Sequence, residues 1–283
     1  MANVRFIRYA NNKARRTTAS GTFPRVMNGL TGTYTGVAAR VEDPAFPMDN
    51  VLTAGRKGNV WVAPDGSPSN YFDGTSLVLE VDIGSLQSIS ALGALAFTVA
   101  AGFPQGMLVD CIPGTTTYNN AGYVVQNTGN FVVNNAVRDG GVVLAGPVTA
   151  RYWRFRFPSF SSGHGLSLAG VVLGSLITDL GFLYSGATET RVRPRALVES
   201  FDQTASLTFV GPEYVRWTLQ YDNNDATLRQ TFDDLYSDAQ PFIFITPDNE
   251  WQECIWGTEE FAREHIWRPP DRYRMVVELR QLS

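Results

Sequence analysis

Two cysteines and two histidines are all that 283 residues contain. Cys111 and Cys254 have no second thiol near them, so no CxxC unit is present and both read as small buried hydrophobes. His164 and His265 stand apart in the chain, and HExxH, Cys/His clusters and paired zinc spacings are all missing. A transition-metal site is not expected on that inventory. Charge is scarce too: 18% of residues are charged, with 23 Lys+Arg against 27 Asp+Glu and a net charge of −4. That lacks the basic footprint of a dedicated DNA or RNA binder, so no nucleic-acid specificity is expected. A hydrophobic share of 44% excludes a disordered chain. Long apolar runs are absent: residues 89–103 are too short to span a bilayer, and 166–184 contain Asp179, Gly170, Gly174 and Gly181. The first residues, Met1-Ala-Asn-Val-Arg-Phe-Ile-Arg8, carry no apolar h-region, so no secretory signal is expected.

Turn chemistry is what the first 180 residues have in quantity. Asn28-Gly29, Asp65-Gly66, Asp73-Gly74, Pro113-Gly114, Thr128-Gly129-Asn130 and Asp139-Gly140-Gly141 punctuate short apolar segments. Between them, Leu77–Ile83, Tyr123–Gln126, Phe131–Val133, Val142–Leu144, Arg151–Phe157 and Leu166–Leu173 are rich in β-branched and aromatic residues. Strands of this length and spacing predict an all-β sandwich. Arg151–Phe157 alternates, with Trp153, Phe155 and Phe157 on one face and Tyr152, Arg154 and Arg156 on the other, the pattern of a strand with one buried side.

The character changes after Gly186. Residues 1–180 hold 13 basic and 10 acidic side chains, residues 181–283 hold 10 and 17, and the nets of +3 and −7 recover −4. A domain boundary is expected near 180–192, close to the basic run Thr190-Arg-Val-Arg-Pro-Arg195. Beyond it, Ser206–Val210, Glu213–Tyr221, Phe242–Thr246, Trp251–Trp256 and Tyr273–Gln281 read as strands. Ala226–Ser237 reads as one amphipathic helix, with Leu228, Phe232, Leu235 and Tyr236 forming its stripe. At the other end, residues 2–25 contain Arg5, Arg8, Lys13, Arg15, Arg16 and Arg25 and no acid. That stretch is either a flexible tail or an arm that adds a strand to a neighbouring subunit or to the acidic second domain.

Catalytic constellations are thin. Gly165-Leu-Ser167-Leu-Ala169 misses a GxSxG elbow at its last position, and Gly29–Gly36 is glycine-rich without the Lys-Ser/Thr of a phosphate loop. Asp233-Asp234 and Glu259-Glu260 are adjacent pairs that diverge rather than face each other across a bond, so no enzyme is expected and no catalytic residue is assigned. Aromatic residues are the more informative surplus. Trp61, Tyr71, Phe72, Tyr118, Tyr123 and Phe160 lie in or beside Gly/Ser/Asn-rich loops, where they either stack on sugars or plug the ends of the sandwich. Arginine outnumbers lysine 21 to 2, which suits protein–protein contacts and is equally produced by genomic base composition.

Val41-Glu-Asp-Pro-Ala-Phe-Pro47-Met-Asp-Asn50-Val-Leu52, Trp61, Leu77-Val-Leu-Glu-Val-Asp82-Ile-Gly84, Arg151-Tyr-Trp-Arg-Phe155 and Leu168–Gly174 follow one another in an order that resembles the discoidin-like (galactose-binding-like) jelly roll. Phe242-Ile-Phe-Ile-Thr-Pro247-Asp248, Trp251 to Trp256-Gly257 and the terminal Arg272-Tyr-Arg-Met-Val-Val-Glu278-Leu279 look like a module of tail-tip and baseplate proteins of long-tailed bacteriophages. Together they are similar to distal-tail proteins, although many of those place the ring module before the accessory domain. The resemblance implies a mainly β chain: an arm and linker over 1–25, a discoidin-like jelly roll over 26–180, and a smaller ring-forming β domain with one helix, about 226–238, over 190–283. It implies a structural component of a virion tail tip, made in the host cytoplasm, forming a homotrimeric or homohexameric ring and displaying a carbohydrate-binding domain. Its partners would be tail tube, tape measure and hub proteins and a host-surface glycan. Sugar contacts would fall on Trp61, Tyr71, Phe72 and Phe160, and ring contacts on Arg5, Arg8, Arg191, Arg193 and Arg272. No cofactor is expected, and calcium held by loop oxygens leaves no spacing signature either way. The alternatives are a free-standing lectin and, further off, a carboxylate-based glycosidase on such a module.

Overall fold

A computed structural model describes residues 3–16, 23–26, 45–53, 59–63, 77–99, 107–112, 127–133, 137–157, 166–180, 187–199, 205–209, 213–224, 226–257, 263–266 and 272–282. In chain order the strands are β1 (Arg5–Ile7), β2 (Arg25–Val26), β3 (Trp61–Ala63), β4 (Leu77–Leu95), β5 (Thr98–Val99), β6 (Met107–Ile112), β7 (Asn127–Phe131), β8 (Gly140–Phe157), β9 (Leu166–Leu168) and β10 (Gly170–Gly174). They continue with β11 (Thr178–Asp179), β12 (Ala187–Val192), β13 (Arg195–Glu199), β14 (Ala205–Phe209), β15 (Tyr214–Asn224), β16 (Phe242–Ile245), β17 (Trp251–Trp256), β18 (Arg263–Ile266) and β19 (Arg272–Gln281). Helix α1 (Ala226–Ser237) follows β15. The fold is mainly β, a sandwich followed by a sheet with one helix, as expected. The chain divides into two compact units, residues 7–178 and residues 1–6 with 179–283.

The unit of residues 7–178 is the sandwich. A six-stranded sheet in the order β10-β4-β8-β6-β7, with β2 beside β4, and a three-stranded sheet β3-β9-β5 share one hydrophobic cluster. Leu79 and Val81 of β4, Trp153, Phe155 and Phe157 of β8, and Trp61 and Leu168 from the smaller sheet meet there. The expected Leu77–Ile83 strand is only the start of β4, which runs 19 residues by shifting register between Asp82 and Gln87 and again between Ile89 and Ala91. Such bulges bend a strand so that one element serves two parts of a sandwich. Leu166–Leu173, expected as a single strand, splits at Ala169 into β9 and β10, which join different sheets. Thr128-Gly129-Asn130, expected as a turn, lies within β7. A Cβ on Gly129 would come within 2.9 Å of Leu92 and Val142, so close packing rather than a turn requires glycine there.

In the other unit an eight-stranded sheet runs β11-β1-β16-β17-β19-β15-β12, with β18 beside β19. The helical stripe read from sequence packs as expected: Phe232 and Leu235 of α1 are buried with Leu219, Phe244, Met275 and Val277. The Phe232 ring meets Tyr221 edge-on at 5.0 Å, and Tyr236 meets Trp256 at 5.3 Å. The described residues 3–16 divide between the two units, and β1 adds a strand to the acidic second unit, one of the two expected alternatives. Val4 and Phe6 are buried in this second cluster, with Phe6 edge-on to Phe242 at 6.2 Å. Past Ile7 the polar stretch is held by the sandwich: Asn12 Oδ1 accepts from Leu173 N–H at 2.9 Å, Lys13 N–H donates to Leu173 O at 2.8 Å, and Arg15 Nη1 donates to Thr53 O at 2.6 Å. The sandwich is therefore an insertion in a unit whose first strand is β1. In this unit β11, β12, β13 and β18 were not evident from the sequence. For β12 the reason is visible: it is an exposed edge, and no buried row imposes alternation on it.

Candidate functional site

The expected sugar-binding set is not assembled among the described residues. Trp61 is fully buried; it pairs with Leu168 across β3 and β9 and lies 6.4 Å from the Phe157 ring. It is a core residue and offers no ring face to a ligand, which corrects its expected role. Burial of a large aromatic between two sheets outweighs loop display because the sandwich needs that volume filled. Tyr71, Phe72 and Phe160, with Tyr118 and Tyr123, lie outside the described residues.

What the structure does assemble is a charged cluster on the six-stranded sheet, on the face opposite the core. Asp82 is fully buried and sits across from Arg25 on β2 and Tyr152 on β8. Its Oδ1 accepts from Arg151 Nε at 2.7 Å and from the Gly84 N–H at 2.8 Å, and its Oδ2 accepts from Arg151 Nη2 at 3.0 Å and Arg25 Nη2 at 3.2 Å. Both guanidinium groups lie over the Phe23 ring, at 4.9 Å for Arg25 and 5.4 Å for Arg151. The hydrogen bond to Asp82 holds the Arg151 guanidinium above its usual range, and burial raises the Tyr152 phenol. One register step away, Glu80 faces Arg154, and Asp110 on β6 stands opposite Arg154 on its other side. Arg154 Nη2 lies 2.6 Å from Glu80 Oε1, with both side chains almost wholly buried. Burial pushes the Glu80 carboxyl up to about 8 and draws Arg154 down to about 8, the latter helped by Arg156. The expectation of a solvated outer face on β8 is thus overturned, since Tyr152 and Arg154 are buried as deeply as their inward neighbours. Four donated hydrogen bonds on Asp82 leave it a structural anchor rather than a base. This is what the Asp82-Ile-Gly84 and Arg151-Tyr-Trp-Arg154 motifs encode, and their spacing in sequence was the only signal of it.

The expected interface arginines fall on separate elements. Arg5 lies in β1 and Arg8 just after it, both half-buried. Arg191 on β12 has 75% of its side chain exposed and approaches Glu189 of its own strand only at 3.8 Å. Arg193 pairs with Glu213. Arg272 heads β19, and its side chain is outside what is described. None of the catalytic alternatives gains support from its surroundings. Asp233 approaches Arg229 at 3.8 Å and Asp234 accepts from Gln230 Nε2 at 2.8 Å, both one turn away on α1. Ser167 is a strand residue of β9 opposite Val62 and Thr98, not the tip of a strand–helix elbow. Glu259 and Glu260 lie outside the described residues. Cys254 is buried in the second core. Among the described residues no group of three or more His, Cys, Asp and Glu side chains is placed to hold a metal, and no helix is long and apolar enough to cross a membrane.

No protein family matches the sequence, and no curated protein does. Among solved structures, chitosan-binding module 1 from a chitosanase/glucanase of Paenibacillus sp. IK-5 aligns at 14% identity over 57% of this chain and 96% of that one, with a TM-score of 0.38. The family 32 carbohydrate-binding module of C. perfringens NanJ, solved with galactose, aligns at 16% over 47% and 88%, with a TM-score of 0.35. The family 32 module of AlyQ, solved with 4,5-unsaturated mannuronic acid, aligns at 16% over 50% and 98%, with a TM-score of 0.33. Overlaps this loose are no guide to ligand or site.

Proposed function

We propose that this chain is a structural component of a bacteriophage tail tip, in which the unit of residues 1–6 and 179–283 builds a homotrimeric or homohexameric ring and the sandwich is displayed from it to meet a cell-surface glycan. The observation that carries the reading is the insertion. The segments that resemble the tail-tip module, Phe242–Ile245, Trp251–Trp256 and Arg272–Gln281, are strands of one sheet, and β1 belongs to that same sheet. The reversed module order thereby loses its force, because the sandwich interrupts the sheet unit rather than preceding it. A domain inserted between paired strands can vary without disturbing the sheet that receives it. Ring closure uses contacts between unlike surfaces of successive copies. The tail tube, tape measure and hub proteins would be its neighbours in the virion, and no cofactor is required. Native mass spectrometry of the full chain is the test: a species of three or six copies is expected, and a mass that never exceeds two copies at any concentration overturns the ring. A glycan array reads the display role separately.

A further inference from the structure

We infer that the free edge of β12 is a self-complementary docking strand for the β12 of a second copy of this chain, paired antiparallel about a two-fold axis through Thr190. This goes beyond the ring reading and does not depend on it. Among the described strands β12 has one neighbour, β15, with Ala187 to Val192 paired to Leu219 to Tyr214. Among the described residues its other side carries unpaired backbone donors and acceptors, the template that edge strands offer. The far end of the sheet, the two-residue β11, is too short to offer the same.

Charge at an edge usually protects against pairing, and like charges do so by repulsion. Here the signs alternate on one side of the strand: Glu189 and Arg191 share the face that Trp217 and Val215 occupy on β15. Symmetry restricts the registers. Two copies of one edge can pair antiparallel only when facing residues have the same parity, because alternate residues direct their backbone groups outward. The axis must then pass through a residue facing itself. Centred on Glu189 or on Arg191, it sets two like charges opposite each other. Centred on Thr190, it sets Glu189 against the second copy's Arg191 and Arg191 against its Glu189, with Thr188 against Val192. That register has two cross-strand ion pairs, β-branched residues at three neighbouring positions and no like-charge contact. The weak 3.8 Å approach of Arg191 to Glu189 within one strand leaves both side chains available, at 75% and 41% exposure.

Sedimentation equilibrium on the full chain tests this with two charge reversals. Parent protein should show an even multiple of the 31.2 kDa chain mass. Arg191→Glu makes both facing pairs acidic and Glu189→Arg makes both basic, so either variant alone should halve that mass. Mixed together, the two variants again face opposite charges and should regain the parent's mass as a heterotypic pair. Both side chains are exposed, and unchanged circular dichroism confirms that each variant folds. The proposal is overturned if the reversals leave the mass unchanged, if the mixture stays at the halved mass, or if the parent is an odd multiple. A mass stopping at two copies would remove the ring while leaving this contact intact; a ring indifferent to the reversals would do the opposite.

Discussion

Asp82 accepts four hydrogen bonds, and its partners come from three different stretches of chain. Arg25 reaches it from β2, Arg151 from β8, and Gly84 from two residues on. Gly84 has φ +87°, and a Cβ there would lie 2.7 Å from the Phe23 ring that both arginines cover, so the Asp-x-Gly spacing is a steric requirement. Asp82→Ala should cost about 3 kcal/mol, since it strips a half-buried guanidinium of its counter-charge; chemical denaturation reads the loss. Glu80 and Arg154 behave differently because neither has water to fall back on. Arg154→Met leaves Glu80 to resolve its burial by taking a proton. Its pKa, already raised by burial beside Arg154, stays above the unfolded value, so the folded state holds a proton that the unfolded chain releases. Stability should fall as pH rises from 4.5 toward 8 and level off above it, the window set by burial alone. Arg154→Met with Glu80→Gln should abolish that slope, as thermal melts across the range would show.

At the scale of elements, β1 is the instructive case. Three residues with an Arg at the front make a weak strand on propensity alone, yet Val4 and Phe6 are 1% exposed. Neighbours supply what propensity does not: Leu180 N–H donates to Val4 O at 2.8 Å, and Phe242 closes over Phe6. Phe6→Ala should therefore destabilise the sheet unit by about 3–5 kcal/mol, the range for emptying a buried aromatic site. A flexible tail would give no effect in the same urea titration. Helix α1 needed less help, because Phe232 and Leu235 already stand on one face at helical spacing before any partner is known.

Over the whole molecule, two hydrophobic clusters with separate memberships imply two cooperative units. Calorimetry should resolve two transitions, with Asp82→Ala lowering one and Phe6→Ala the other; a single transition moved by both would refute the division. The sequence alone determined the inner row Trp153-Phe155-Phe157, together with the α1 stripe and the mainly β class. Those depend on residues a few positions apart, whose periodicity any buried face imposes. Only tertiary structure decided that β1 is an added strand rather than a tail, that Trp61 is core, that a charged face of β8 is buried, and that β12 is an edge among the described strands. Each of these turns on which distant segment arrives opposite, and a pattern of neighbours along the chain holds no record of that.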